Sequence, residues 1–175
     1  MFLVLIITLS FLLAGCEGEE IENPFQESSQ ITPLMEAQGV NFVEWDNLGR
    51  KNWELEADSA IQFPQRVVLK NAKVKLFEKG KPASEGEADQ IIVDNLTSDL
   101  ELKGKVKIIS YLDGAQLTTS ELRWVAKEEK FFTEKKVTIK KDNLVIKGKG
   151  LIGNVNLTSI IIKEQATTYL QSPEP

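Results

Sequence analysis

Lys105-Val106-Lys107-Ile108 alternates charged and apolar side chains with a period of two. Successive side chains of an extended chain point to opposite faces. Val106 and Ile108 therefore share one face and the lysines the other, which is the pattern of a half-buried strand. The same alternation occurs upstream in Lys73-Val74-Lys75-Leu76 and downstream in Lys136-Val137-Thr138-Ile139-Lys140. Helical spacing of apolar residues is poorly sustained here, and turn-forming pairs fall at Lys79-Gly80, Asp94-Asn95, Asp113-Gly114 and Asp142-Asn143. Proline cannot donate to a ladder, so Pro64 and Pro82 are expected between strands. The reading is all-β.

A repeat extends this reading. Ala57-Asp58-Ser59-Ala60, Ala88-Asp89-Gln90-Ile91, Thr119-Ser120-Glu121-Leu122 and Lys149-Gly150-Leu151-Ile152 align, so that Ala60, Ile91, Leu122 and Ile152 recur at intervals of 31, 31 and 30 residues. Val74, Val106 and Val137 follow at intervals of 32 and 31. Each period holds two strands and their turns. Such a unit cannot bury its own apolar face, so successive units stack into a continuous sheet. The expected architecture is an elongated, open, folded-over sheet of stacked antiparallel strand pairs. Its inside is apolar and its outside charged, and the unpaired strands at both ends invite strand addition by another protein.

Ahead of this domain, residues 1–15 are almost entirely apolar and run through Leu13-Ala14-Gly15 into Cys16, followed by Glu17, Gly18, Glu19 and Glu20. This reads as an export signal with a lipobox, in which the Cys16 thiol accepts a diacylglycerol. Fifteen helical residues reach about 22 Å, short of a bilayer core of about 30 Å, which favours cleavage over spanning. The segment begins Met1-Phe2-Leu3 without the usual Lys or Arg, and an uncleaved transmembrane anchor is the alternative. Residues 16–36, rich in Glu, Ser, Gln, Asn and Pro, are expected to form a lipidated tether. Extended, its first seventeen residues span up to about 60 Å. The β-domain is assigned to residues 37–170 and a disordered tail to 171–175.

Composition narrows the chemistry. The 175 residues contain no histidine and one cysteine, and the formal net charge is −5. This removes the commonest general base, the Ser-His and Cys-His dyads and any intramolecular disulfide. No metal site and no cofactor are expected. A mildly acidic chain disfavours a nucleic-acid partner. Asp58 and Asp89 recur at the repeat interval and could be drawn as an acid–base pair, but stacked repeats also juxtapose like residues for structural reasons. An enzyme is not expected. Lys73, Lys75, Lys103, Lys105, Lys107, Lys135 and Lys136 read as a solvated outer face rather than a phosphate site. Gly150 and Gly153 suggest bulges or close backbone approach near a docking edge. Asn95-Leu96-Thr97 and Asn156-Leu157-Thr158 match a glycan acceptor pattern that carries little weight beside a lipobox.

Several stretches together resemble the LptC family. They are Trp53-Glu54-Leu55-Glu56-Ala57-Asp58, Leu100-Glu101-Leu102-Lys103-Gly104-Lys105-Val106, Leu117-Thr118-Thr119, Phe131-Phe132-Thr133, Val137-Thr138-Ile139 and Ile146-Lys147-Gly148-Lys149-Gly150-Leu151. That family supplies the periplasmic, inner-membrane-anchored component of the lipopolysaccharide exporter, and its fold is related to the LptA/OstA β-jellyroll. The resemblance implies a groove for acyl chains, an N-terminal side that meets the inner-membrane ABC transporter, and a C-terminal edge that pairs with an LptA-like bridge. The groove maps to Ile91, Val93, Val106, Ile108, Leu122, Trp124, Val137 and Ile139. The edge maps to Gly150, Gly153, Ile160 and Ile162. The expected location is the periplasmic face of the inner membrane, held there by the lipid on Cys16. A lipobox departs from the family's usual transmembrane helix. The alternative from another class is a structural envelope lipoprotein that pairs strand edges and carries no lipid.

Overall fold

Nine strands make up most of residues 32–170, the part of the chain that the computed structural model describes. They are β1 (Met35–Trp45), β2 (Lys51–Gln62), β3 (Arg66–Glu78), β4 (Lys81–Asp94), β5 (Leu100–Ser110), β6 (Gln116–Val125), β7 (Lys130–Lys141), β8 (Leu144–Asn154) and β9 (Ile160–Leu170). Each pairs antiparallel with the next in chain order, and a single 3-10 turn at Ala126–Glu128 joins β6 to β7. β1 and β9 each have one neighbour, so the sheet is open. The fold is an all-β, open jellyroll of antiparallel strand pairs. The signal or anchor, Cys16, the tether up to residue 31 and the tail at 171–175 lie outside the described residues.

The turn pairs fall where the strands reverse. Lys79 and Asp142 both have φ of +52° and Gly80 has +79°, the left-handed backbone that a two-residue hairpin turn demands. Pro82 corrects the sequence reading, because it is the second residue of β4 rather than a linker residue. It pairs with Phe77 at a register shift, a site where a missing N–H is tolerated.

Register shifts also line up across the middle of the sheet. They occur between Glu87 and Gln90 on β4, Lys103 and Val106 on β5, Thr119 and Arg123 on β6, and Thr133 and Lys136 on β7. Asn71, Gly104 and Gly150 have positive φ along the same band. Bulges bend strands, and a row of them makes a crease.

Two long-range hydrogen bonds show how far the crease folds the sheet. Trp53, near the start of β2, donates its indole N–H to the Ser98 carbonyl in the β4–β5 turn at 3.2 Å. Within the ladder, Trp53 sits opposite Leu76, and Leu76 opposite Ser84, at the far end of β4 from that turn. Asn156, in the β8–β9 turn, donates to the Glu78 carboxylate at the end of β3 at 2.7 Å. Both bonds join one end of the strands to the other. The sheet is therefore folded over, and its two ends meet along a seam.

The first series of the repeat holds for three copies and slips at the fourth, whereas in the second series Val74 shares its row with Ile108 and Ile139 rather than with Val106 and Val137. Ala60, Ile91 and Leu122 are buried, whereas Ile152 is half-buried on the opposite face and Leu151 takes the inward place. The slip lies at the turn: Ile108 and Leu117 face each other nine residues apart across β5–β6, but Ile139 and Ile146 only seven apart across the two-residue Asp142-Asn143 turn.

Candidate functional site

The inward side chains form rows that cross the sheet from strand to strand. One row near the seam runs Val67, Val93, Leu100, Trp124, Phe131. A second, beyond the crease, runs Phe42, Leu55, Val74, Gly86, Ile108, Leu117, Ile139, Ile146. A third runs Ala60, Leu69, Ile91, Leu102, Leu122. Gly86 belongs in its row because a Cβ there would meet Ile108 Cδ1 at 2.5 Å. All eight residues assigned to the groove lie in the core: Ile91, Val93, Val106, Ile108, Leu122, Trp124, Val137 and Ile139 are buried and belong to one apolar cluster. Alternation thus brings them together, and in this closed arrangement they fill the interior. Val40 and Phe42 on β1, and Ile160 and Ile162 on β9, are half-buried against the same cluster. The apolar interior consequently runs out to both unpaired edges.

The seam is a boundary of this interior that side chains close rather than a strand ladder. Ser98 accepts from Trp53 through its carbonyl and donates its hydroxyl to the Glu44 carboxylate of β1 at 2.8 Å. Beside these bonds lies a depression of about 300 Å³, lined by Phe42, Glu44, Trp53, Gln62, Val67, Val93, Asp94, Asn95 and Ser98. Phe42, Trp53, Val67 and Val93 supply an apolar throat, while the acids and amides form a polar rim. The backbone N–H groups of Thr97 and Leu96 hold the Asp94 carboxyl below its ordinary pKa, so the rim carries negative charge.

Two buried polar atoms have no hydrogen-bond partner among the described residues, the Trp124 indole nitrogen and the Ser84 hydroxyl. Trp124 stands between Leu100 and Phe131 in the row that begins at the throat. Ser84 stands between Leu76 and Ser110 in the row that carries Trp53.

Asp58 accepts from the Asn71 side chain at 2.9 Å and Asp89 from the Lys105 backbone N–H at 3.1 Å. Both carboxylates are exposed and lie in mid-strand at the crease. Each thus tends its neighbour's bend. Lys73, Lys75, Lys105, Lys135 and Lys136 are exposed, with Lys103 and Lys107 half-buried. Glu54, Glu56, Lys73, Lys75, Glu85, Glu87 and Lys107 interleave charges around an outer depression of about 200 Å³. Gly150 and Gly153 lie on β8, which is paired on both sides, whereas Ile160 and Ile162 lie on the edge strand β9. No group of metal-ligating side chains occurs among the described residues, and none of their helices is long and apolar enough to cross a membrane.

Sequence reasoning missed the seam residues Glu44, Glu78, Ser98 and Asn156, because their contacts exist only once the sheet has folded over. One signal was present. Asn95-Leu96-Thr97-Ser98 and Asn156-Leu157-Thr158-Ser159 are the same tetrapeptide, and each sits in a turn that bonds across the seam.

Comparison with known proteins supplies the family. A search of curated proteins returns no match. Among solved structures, the chain is similar to the crystal structure of LptH from Pseudomonas aeruginosa, described as the LptA homologous periplasmic component of the conserved lipopolysaccharide transport device. The identity is 6%, the match covers 80% of this chain and 96% of that one, and the TM-score is 0.34. The sequence matches the family described as lipopolysaccharide-assembly, LptC-related, over residues 2–171. With nearly its whole length matched, the chain belongs to the LptC-related family of lipopolysaccharide assembly.

Proposed function

We propose that this protein is a periplasmic lipopolysaccharide carrier. It receives the lipid from an inner-membrane ABC transporter, screens the acyl chains inside the folded sheet, and passes them to an LptA-like bridge. The observation that carries the reading is the continuity of the apolar interior. It begins at Val40 and Phe42 on one unpaired edge and ends at Ile160 and Ile162 on the other. A sheet added at either edge would extend the same lining, and exposed strand edges favour such addition.

Loading requires the seam to part. The bonds among Trp53, Ser98 and Glu44, and that between Asn156 and Glu78, are individually weak, whereas each strand ladder is a cooperative set. Acyl chains that replace water-exposed interior contribute on the order of 0.8 kcal/mol per CH₂, so release is slow unless the lipid is pushed or exchanged. Direction then comes from the partners, and the chain performs no covalent chemistry. Cys16 serves as the lipid anchor, and the tether lets the domain stand away from the membrane.

The test is co-purification of lipopolysaccharide with the full chain. Val106→Glu places a carboxylate on the lining and should abolish co-purification while circular dichroism still reports a β-fold. Lys105→Glu, on the outer face, should leave it intact. Equal lipid on both variants contradicts the carrier and leaves a structural lipoprotein that pairs edges without cargo.

A further inference from the structure

We propose that the Trp124 indole N–H is a cargo-binding donor, poised to bond an oxygen of an acylated ligand (an ester or amide carbonyl, or a chain hydroxyl) just inside the seam. The proposal rests on the carrier reading and specifies which part of the lipid the lining recognises.

Trp124 is 1% exposed, and its N–H has no partner among the described residues. A buried donor without a partner is destabilising, and tryptophan in an apolar interior ordinarily finds one. Trp53 does so, by donating to Ser98. An apolar residue of similar shape would fill the place of Trp124 at no such cost. The N–H becomes useful only if something else in the interior accepts from it.

Position says what that acceptor is. Trp124 shares its row with Val67 and Val93, which line the throat at the seam. From Val93 it is two strands away, about 10 Å along the sheet. The second orphan, Ser84, occupies the row that carries Trp53, at the end of the strands which meets the first across the seam. Both unpaired polar atoms thus lie near the seam, with the strictly apolar rows of Ile91 and Ile108 farther in. An amphiphile with its chains in the interior and its sugars outside places its acyl linkages and 3-hydroxyls at this depth. Free hydrocarbon would leave Trp124 unpaired, and the sugar headgroup alone would not reach it.

The experiment uses the full chain in phospholipid nanodiscs, labelled with ¹⁵N-indole tryptophan. The signals of Trp45, Trp53 and Trp124 are assigned from single Phe variants. Purified lipopolysaccharide is added in one arm and its fully deacylated saccharide in the other. The Trp124 indole proton should move downfield with the acylated molecule and stay in place with the saccharide. In cells, Trp124→Phe should lower the yield of lipopolysaccharide adducts at a photo-crosslinker on Val106 by about two- to ten-fold, the worth of one hydrogen bond, relative to a Leu69→Val variant that vacates core volume but keeps the indole. An unmoved Trp124 signal while adducts form at Val106 overturns the proposal and spares the carrier. So does an equal shift with the saccharide, or an undiminished adduct yield. Absence of adducts at Val106 in the unaltered chain overturns both.

Discussion

The indole N–H of Trp53 reaches the backbone carbonyl of Ser98 at 3.2 Å, joining the start of β2 to a turn at the opposite end of the strands. Both ends of a nine-strand sheet are brought together by such contacts, and they define where the interior can open.

Removing this bond should loosen the seam without emptying the core. Trp53→Phe deletes the donor and part of a buried ring, so it should lower stability by about 1 to 3 kcal/mol, the hydrogen bond plus the vacated volume. Urea unfolding measures the loss, and it should appear as a lower midpoint at unchanged slope.

The crease makes a sharper prediction at Gly104. Its φ is +93°, and a Cβ there would lie 2.3 Å from Asp89 Oδ2 and 2.6 Å from Asp89 Cβ. Gly104→Ala combines left-handed strain with overpacking and should cost about 2 to 4 kcal/mol. Gly114, with φ of +68°, has nothing within 4 Å of the place a Cβ would take and carries the strain alone, so Gly114→Ala should cost about 1 to 2 kcal/mol. Comparing the two unfolding curves separates strain from collision.

Much of this was legible in the sequence and some was not. The period of two at Val106 and Ile108 and the thirty-one-residue spacing of Ala60, Ile91 and Leu122 follow from local pleat and repeat, and pattern alone reports both. The inward face could therefore be named residue by residue. Ile152 was misplaced because the two-residue turn at Asp142-Asn143 is shorter than the turn between β5 and β6, and an even repeat spacing does not reveal the length of each turn. Glu44, Ser98, Glu78 and Asn156 escaped because they meet only after the sheet folds. The unpaired state of Trp124 is a property of its surroundings and leaves no trace in composition.

Tyr111 should titrate abnormally. Partial burial, and then the hydrogen bond it donates to Glu85 at 2.8 Å, raise its phenol from 10.0 to about 12. The raised value means that the folded state holds the proton more tightly. Its contribution to stability is complete below pH 10 and is lost as pH rises through about 12. Phenolate absorbance should follow Tyr111 to about 12, and Glu85→Gln should move it part of the way back.

At the acid end the sign reverses. The Thr97 and Leu96 N–H groups hold the Asp94 carboxyl below 3.8, so its contribution is present above that value and lost as pH falls through the depressed one. Asp94→Asn should flatten the fall of the thermal midpoint below pH 3.8 relative to the unaltered chain. An unchanged acid slope would remove Asp94 from the rim's electrostatics.

The most direct measurement of the carrier account is photo-crosslinking in living cells. A reactive side chain is placed at inward Val106 or Ile108 and, as control, at outward Lys105 or Lys107. The account predicts lipopolysaccharide adducts at the inward pair alone. Protein adducts without lipid at Val106 and Ile108, in a chain that remains folded, would contradict it.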